Sequence, residues 1–316
     1  MVYSFPGLWC TVSLVSQKTG IVDNFFGLYC VLTNGTMDTI QSRTKEQAQM
    51  DHRELFDQRN HIVVKDNDLV RARYNLTVNQ QKIIAYIISL IKPEDKEMKM
   101  YEISISDYCE LCGIEKDYFY QDIKDVIDNL DSKSFWVETD QKVFKFRWIS
   151  EIEIIKRSGK VRLMLNSNLK KYLLDLKEKF TTYELYNILA LKSKYSIRMY
   201  ELFKSYSFQG KIRIDLENLK QLLYAENYKD YRGFRRRVIE PAINEINEFT
   251  DLEVSFDPIT KGKKIIALEF TIKRKGTMES AQSYMNTILK INKVNHEIAG
   301  QMTLLEQLIA HQRGEL

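Results

Sequence analysis

The order in which the sequence changes its periodicity between Thr181 and Lys275 constrains this chain more than any other feature. Thr181-Thr182-Tyr183-Glu184 reads as a capping box, Thr181 closing a helix start and Glu184 answering three residues on. Leu185, Ile188, Leu189, Leu202, Phe203 and Tyr206 then recur at helical intervals, interrupted by Lys192 to Arg198. The short alternation of Ile212 and Ile214 leads to a second helix from about Asp215, whose carboxylate suits an N-cap. A third helix is predicted from about Asp230 to Thr250, with Phe234, Val238, Ala242, Ile246 and Phe249 on one face. A hairpin closes the series: Leu252 to Phe256, a turn through Pro258 and Gly262, then Ile265 to Ile272. Helix, short strand, helix, helix and hairpin is the order of a winged helix.

Charge concentrates in the same stretch. From Lys192 to Arg237 there are twelve basic and five acidic residues, a net +7 in a chain whose whole is +4. Positive charge gathered on one module is the electrostatic footprint of a nucleic-acid binder. Arg232, Arg235, Arg236 and Arg237 open the third helix, where a recognition helix presents groups to base edges. Arg237 is the one expected to turn toward acidic neighbours instead. Lys261, Lys263 and Lys264 surround the hairpin tip, where point charges suit phosphates. Lys192, Lys194 and Arg198 are assigned to phosphates, and Tyr195 and Tyr200 to the core. Pro241 lies inside the third helix and is expected to kink it.

Two motifs carry a resemblance. Leu191-Lys192-Ser193-Lys194-Tyr195-Ser196-Ile197-Arg198-Met199-Tyr200-Glu201-Leu202 resembles the signature helix of plasmid replication initiators of the iteron-binding Rep family. Arg236-Arg237-Val238-Ile239-Glu240-Pro241-Ala242-Ile243-Asn244-Glu245-Ile246-Asn247, followed by Thr250 to Val254, is similar to that family's recognition helix and next strand. The similarity runs from about Asn60 to Lys275. It implies an α+β chain of two tandem winged-helix domains that binds directly repeated sites in double-stranded DNA at a plasmid origin. It further implies opening of an adjacent AT-rich segment, recruitment of the host helicase, its loader and host initiator proteins, and a homodimer that represses in exchange with a monomer that initiates.

The first half repeats the plan of the second after about 110 residues, as an internal duplication. Thr77-Val78-Asn79-Gln80 is a capping-box start, and Ile83, Ile84, Ile87, Ile88 and Ile91 line one face of the helix after it. Ile103 and Ile105 alternate, a short helix runs through Tyr108 and Leu111, and Gly113 stops it. A third helix spans Tyr118 to Leu130, and a hairpin runs Ser134 to Thr139 and Lys142 to Ile155. In that hairpin Phe144, Phe146 and Trp148 alternate with Lys145 and Arg147, which are assigned to DNA backbone contact. Asp117, Asp122, Asp125 and Asp128 make the third helix of this half acidic, a poor groove reader. Base reading is therefore expected from the second half, and dimerisation from the first. Leu163 to Lys179 reads as a connecting helix. The boundaries are 1–59 for a poorly ordered extension, 60–160 and 161–276 for the two winged helices, and 277–316 for an amphipathic helical tail.

Residues 1–36 are apolar and nearly uncharged, with Lys18 interrupting runs too short to span a bilayer and no cleavage site after them. They read as an extension upstream of Met37, followed by a polar arm to Arg59, and His61 to Val70 as strand and loop. No membrane contact is expected. Four cysteines in 316 residues make no disulfide framework, which fits a reducing cytoplasm. Cys109-x-x-Cys112 is half a zinc site with no second pair, so neither metal nor cofactor is expected. There is no phosphate-binding Gly-x-x-x-x-Gly-Lys loop, no paired histidines beside a tyrosine nucleophile, and no nucleophile motif. A non-enzymatic binder is the reading, with a repressor that never initiates and a nicking enzyme as its rivals.

Overall fold

The computed structural model describes residues 61–114, 126–130, 132–138, 141–156, 158–174, 176 and 179–291. The expectations for residues 1–59, for the acidic side chains at 117, 122 and 125, and for the tail positions Met302, Leu305, Leu308 and Ile309 lie outside these residues.

One arrangement occurs twice. In the first frame α2 (Val78–Ser89) precedes β2 (Met100–Ser104), α3 (Ile105–Cys112), helical residues 126–130, β5 (Ile149–Ile155) and β6 (Lys160–Leu165). In the second, α6 (Lys194–Tyr206) precedes β8 (Lys211–Asp215), α7 (Leu216–Leu222), α8 (Tyr231–Phe234), α9 (Glu240–Phe249), β9 (Leu252–Lys261) and β10 (Lys264–Arg274). The sheets match: β2-β6-β5 and β8-β10-β9, antiparallel, with the last strand central in each. The molecule is thus α+β with two tandem winged helices of one topology.

Local chemistry sets the element ends. Thr77 accepts from the Gln80 N–H while the Gln80 side chain bonds back to the Thr77 N–H, completing the box that starts α2. Gly113 ends α3 at φ +66°, the left-handed cap that glycine adopts without strain. Ile83, Ile84, Ile87 and Ile88 are buried on α2, each such side chain contributing about 1.5–3 kcal/mol. Asp215 takes the N-cap position of α7 but makes no side-chain bond to it.

Several expectations fail for tertiary reasons. Leu163 to Lys179 is not one connecting helix: Val161, Leu163 and Leu165 alternate inward along the central strand β6, and among the described residues only a 3-10 turn (Ser167–Leu169) and α4 (Lys170–Leu173) are helical. The expected hairpin from Ser134 to Ile155 is divided. β3 (Ser134–Glu138) pairs with β4 (Val143–Arg147), and after buried Trp148 the chain enters β5, so the wing of the first frame is β5–β6. Thr181 to Glu184 is not a helix start but β7 (Phe180–Glu184), antiparallel to β1 (Ile62–Asp66). The burial of Thr181 and Tyr183 between exposed Phe180 and Thr182 is a strand pattern, and Thr181 spends its hydroxyl on Asn67 at 2.6 Å. Helix resumes as α5 (Tyr186–Leu189), and Ser193 caps α6, so Lys194 to Arg198 begin a helix rather than interrupt one. Asn67–Arg71, expected as loop, is helix α1. Pro258 sits in β9, an edge strand that does not need its missing N–H, and the turn is confined to Lys261–Lys264.

The frames are joined by buried charge. The Glu201 carboxylate on α6 accepts from Lys65 of β1 at 2.5 Å, Tyr183 of β7 at 2.6 Å, Tyr74 at 3.1 Å and Arg198 at 3.4 Å. Burial pulls this carboxyl upward, but the Lys65 and Arg198 cations and the hydrogen bonds outweigh it and hold Glu201 below the usual carboxylate range. At the far side α10 (Thr277–Ile291) lies on α9 and α5, with Tyr284 edge-on to Tyr186 at 4.8 Å and the Thr287 hydroxyl donating to the Phe249 carbonyl at 3.0 Å. Its last residue meets the first frame: a side chain at Gly113 would run into the Ile291 carbonyl.

Candidate nucleic-acid interface

The arginine run of the second frame is fixed by its cap and by a proline. Asp230 accepts from the Gly233 N–H at 2.6 Å and starts α8. Phe234, Val238, Ile239, Ala242, Ile246 and Phe249 are buried on one side, so Arg232, Arg235, Arg236 and Arg237 emerge exposed on the other. Between α8 and α9 the helix widens into a π turn over Arg235–Ile239. In an α-helix the ring of Pro241 would press on the Arg237 carbonyl and leave it without a donor. The extra residue in the turn is the usual way a helix absorbs such a conflict, so the expected kink takes the form of a π bulge.

The four arginines divide. Arg232, Arg236 and Arg237 make no ion pair among the described residues, and with Asn227, Tyr228 and Lys229 they line a cavity of about 480 Å³ at the helix start. Arg235 instead bonds Glu240 at 2.8 Å and lies 5.7 Å from the centre of the Phe256 ring on β9. The arginine that turns to an acid is therefore Arg235 and not Arg237. Asn227 and Tyr228 line the same cavity without charge, so only their place just ahead of a helix cap marks them in the sequence.

At the wing, Gly262 takes φ +62° in open space and turns β9 into β10. Lys261, Lys263 and Lys264 around it are exposed and make no ion pair among the described residues. Lys192 is exposed too, beside Ser193; the N–H groups of both donate to Glu245 at 3.1–3.3 Å and dock this loop on α9.

Two of the assigned cations are used inside the protein. Arg198 is 5% exposed, donating to Glu201, to the Tyr74 hydroxyl at 2.5 Å and to the Ala72 carbonyl at 2.8 Å, with its guanidinium 3.8 Å from the Tyr74 ring centre. It belongs to the joint and not to a DNA surface, because it faces inward on α6 one turn from its carboxylate. Lys194 is half-buried, bonds Asn75 at 2.8 Å across to the first frame, and has its pKa lowered by burial. Tyr200 is core, its hydroxyl on Asp251 at 2.9 Å, whereas Tyr195 is only partly buried.

In the first frame Lys145 and Arg147 are exposed on β4, as the alternation predicts, with Trp148 buried. Lys145 lies 5.3 Å above Trp136, its partner across the β3–β4 ladder, and that indole is 44% exposed. Cys109 and Cys112 are buried one turn apart in α3. Among the described residues no group of three or more His, Cys, Asp or Glu could hold a metal ion, and no helix is long and apolar enough to cross a membrane.

Comparison with known proteins agrees with this geometry. The family model described as the WH1 domain of initiator replication proteins matches residues 62–204, and that of the WH2 domain of initiator Rep proteins matches residues 215–272. A replication initiation protein of Escherichia coli is 24% identical over 245 residues, covering 73% of this chain and 75% of its own. An uncharacterised 27.6 kDa protein of Escherichia coli is 22% identical over 223 residues, covering 65% of this chain and 93% of its own. Among solved structures, that of the Pi initiator protein in complex with iteron DNA is similar with a TM-score of 0.58 at 23% identity, over 68% of this chain and 97% of that one.

Proposed function

The chain belongs to the family of initiator replication proteins, and from that premise we propose that it starts plasmid replication by binding directly repeated sites in double-stranded origin DNA. The observation that carries the reading is the pairing, on one frame, of exposed Arg232, Arg236 and Arg237 at a helix start with exposed lysines on the wing, none of them in an ion pair among the described residues. Helix arginines have the fork that grips guanine edges, and wing lysines suit the phosphate backbone. The similar Pi initiator is bound to iteron DNA, which supports repeats as the target here.

The same reading extends to opening of an adjacent AT-rich segment, recruitment of the host helicase and its loader, repression of its own promoter, and exchange between dimer and monomer. The first frame supplies the dimer surface and, through Lys145 and Arg147, backbone contact. The protein acts in the cytoplasm by binding and not by catalysis. A minimal plasmid carrying the repeats tests this: it replicates when the protein is supplied in trans, and supercoiled origin DNA incubated with protein and a divalent metal stays closed. A plasmid that is silenced but never replicated would reduce the protein to a repressor, and an open circle would make it a nicking enzyme.

A further inference from the structure

Arg235 is five residues from Glu240, and in an α-helix residues so spaced lie about 140° apart around the axis. Here they meet because the turn between them is π-helical: the Glu240 N–H donates to the Arg235 carbonyl, stacking one residue over the other. That turn lies immediately ahead of Pro241, whose ring an α turn would not accept. The bond from Arg235 to Glu240 is thus a product of the proline. It leaves the guanidinium carbon 5.7 Å from the Phe256 ring centre, and Phe256 leads inward through Phe270 at 6.1 Å to Phe203 at 4.8 Å. A row of rings therefore runs from α6 through both wing strands to the one arginine of the helix that spends its charge internally.

We infer that Arg235 is a positioning residue. Its contacts with Glu240 and Phe256 hold the reading helix against the wing, and sequence discrimination by Arg232, Arg236 and Arg237 depends on that hold. The ion pair is exposed, so it adds little to stability; its effect is on geometry. It also neutralises Glu240, a carboxylate that would otherwise face the phosphates. The inference rests on the second frame reading DNA, as proposed above.

The test uses full-length protein and compares affinity for the cognate repeat with that for a scrambled repeat. Glu240→Gln and Arg235→Ala should each lower the cognate-to-scrambled ratio about tenfold, the size of one misplaced base contact. The double variant should be no worse than either, since both break one contact. Arg235→Lys, which keeps the charge but loses the planar fork, should fall between parent and alanine. Pro241→Ala should also erode the ratio by relieving the π turn. Thermal melting of each variant should stay within a few degrees of the parent. If Glu240→Gln raises or keeps cognate affinity while Arg235→Ala lowers it, Arg235 reads DNA itself and the inference is overturned. Equal losses on both DNAs overturn it as well, since they mark a phosphate contact. Arg236→Ala separates the two levels: if it too leaves binding unchanged, the reading of DNA by this helix fails, whatever Arg235 does.

Discussion

Lys160 opens the central strand of the first sheet as Lys264 opens that of the second. The first bonds Glu102 of β2 at 2.6 Å, and two residues on Arg162 reaches Glu102 at 3.0 Å and Glu153 at 3.5 Å. Among the described residues Lys264 has no such acidic neighbour. The cause lies in strand length: β2 pairs along β6 as far as Lys160, whereas β8 stops at Ala267, so the tip of the second hairpin projects with no third strand beside it. Lower on that sheet Lys211 of β8 meets Glu269, and Lys273, beside β9, meets Glu253. One topology thus yields a self-neutralised sheet and a charged wing, and the overhang of the hairpin decides which. Cations can serve phosphates only where the fold has not already given them carboxylates.

The joint between the frames is where they depend on one another most. Glu201→Ala leaves Lys65 and Arg198 buried without their counter-ion, and should cost about 3–5 kcal/mol of folding stability. Urea denaturation checks it, and a change under about 1 kcal/mol would mean the frames hold together without this cluster. The pH dependence has a definite sign. The folded Glu201 pKa lies below its ordinary 4.5, so its contribution is present above that value and is lost as pH falls through the folded pKa. Glu201→Gln should accordingly show a flatter loss of stability in acid than the parent.

Next in size is the reading helix. Arg236→Ala should cost about 1–3 kcal/mol on the cognate repeat and much less on scrambled DNA, read by titration on both. Equal losses would make the helix arginines phosphate clamps and give the helix and the wing one role.

The smallest effect contrasts the matched lysines directly. Lys264→Ala should weaken both DNAs alike and make the slope of log affinity against log salt shallower by about one unit. Lys160→Ala, at the matching position but paired with Glu102, should leave that slope unchanged. Equal slopes for the two variants would end the distinction between a neutralised sheet and a charged wing.

What the sequence made legible was local. The Thr77 box, the isoleucine face of α2, the Gly113 stop and the buried face from Phe234 to Phe249 each depend on residues within a turn or two of one another. The strand at Thr181 was illegible because Thr-Thr-Tyr-Glu fits a capping box equally well, and its partner β1 lies more than a hundred residues earlier. Leu163 looks helical in the sequence because its alternation is short and leucines continue past Asn166. Within the site, exposure of Arg232, Arg236 and Arg237 followed from the apolar face opposite. The inward turn of Arg198 did not, since it is set by Tyr74, Ala72 and Glu201 together.

The ladder between Ile62 and Glu184 has a consequence in time as well as in space. A ribosome adding about 5–20 residues per second makes β1 some 6–24 s before the strand that will pair with it. Throughout that interval Lys65 has no Glu201 to meet, and the surface at Gly113 stays uncovered longer still, until Ile291 has been made. The first winged helix therefore emerges early and is finished late, and a nascent chain halted between the two frames presents to the cell a β1 edge that the complete protein hides.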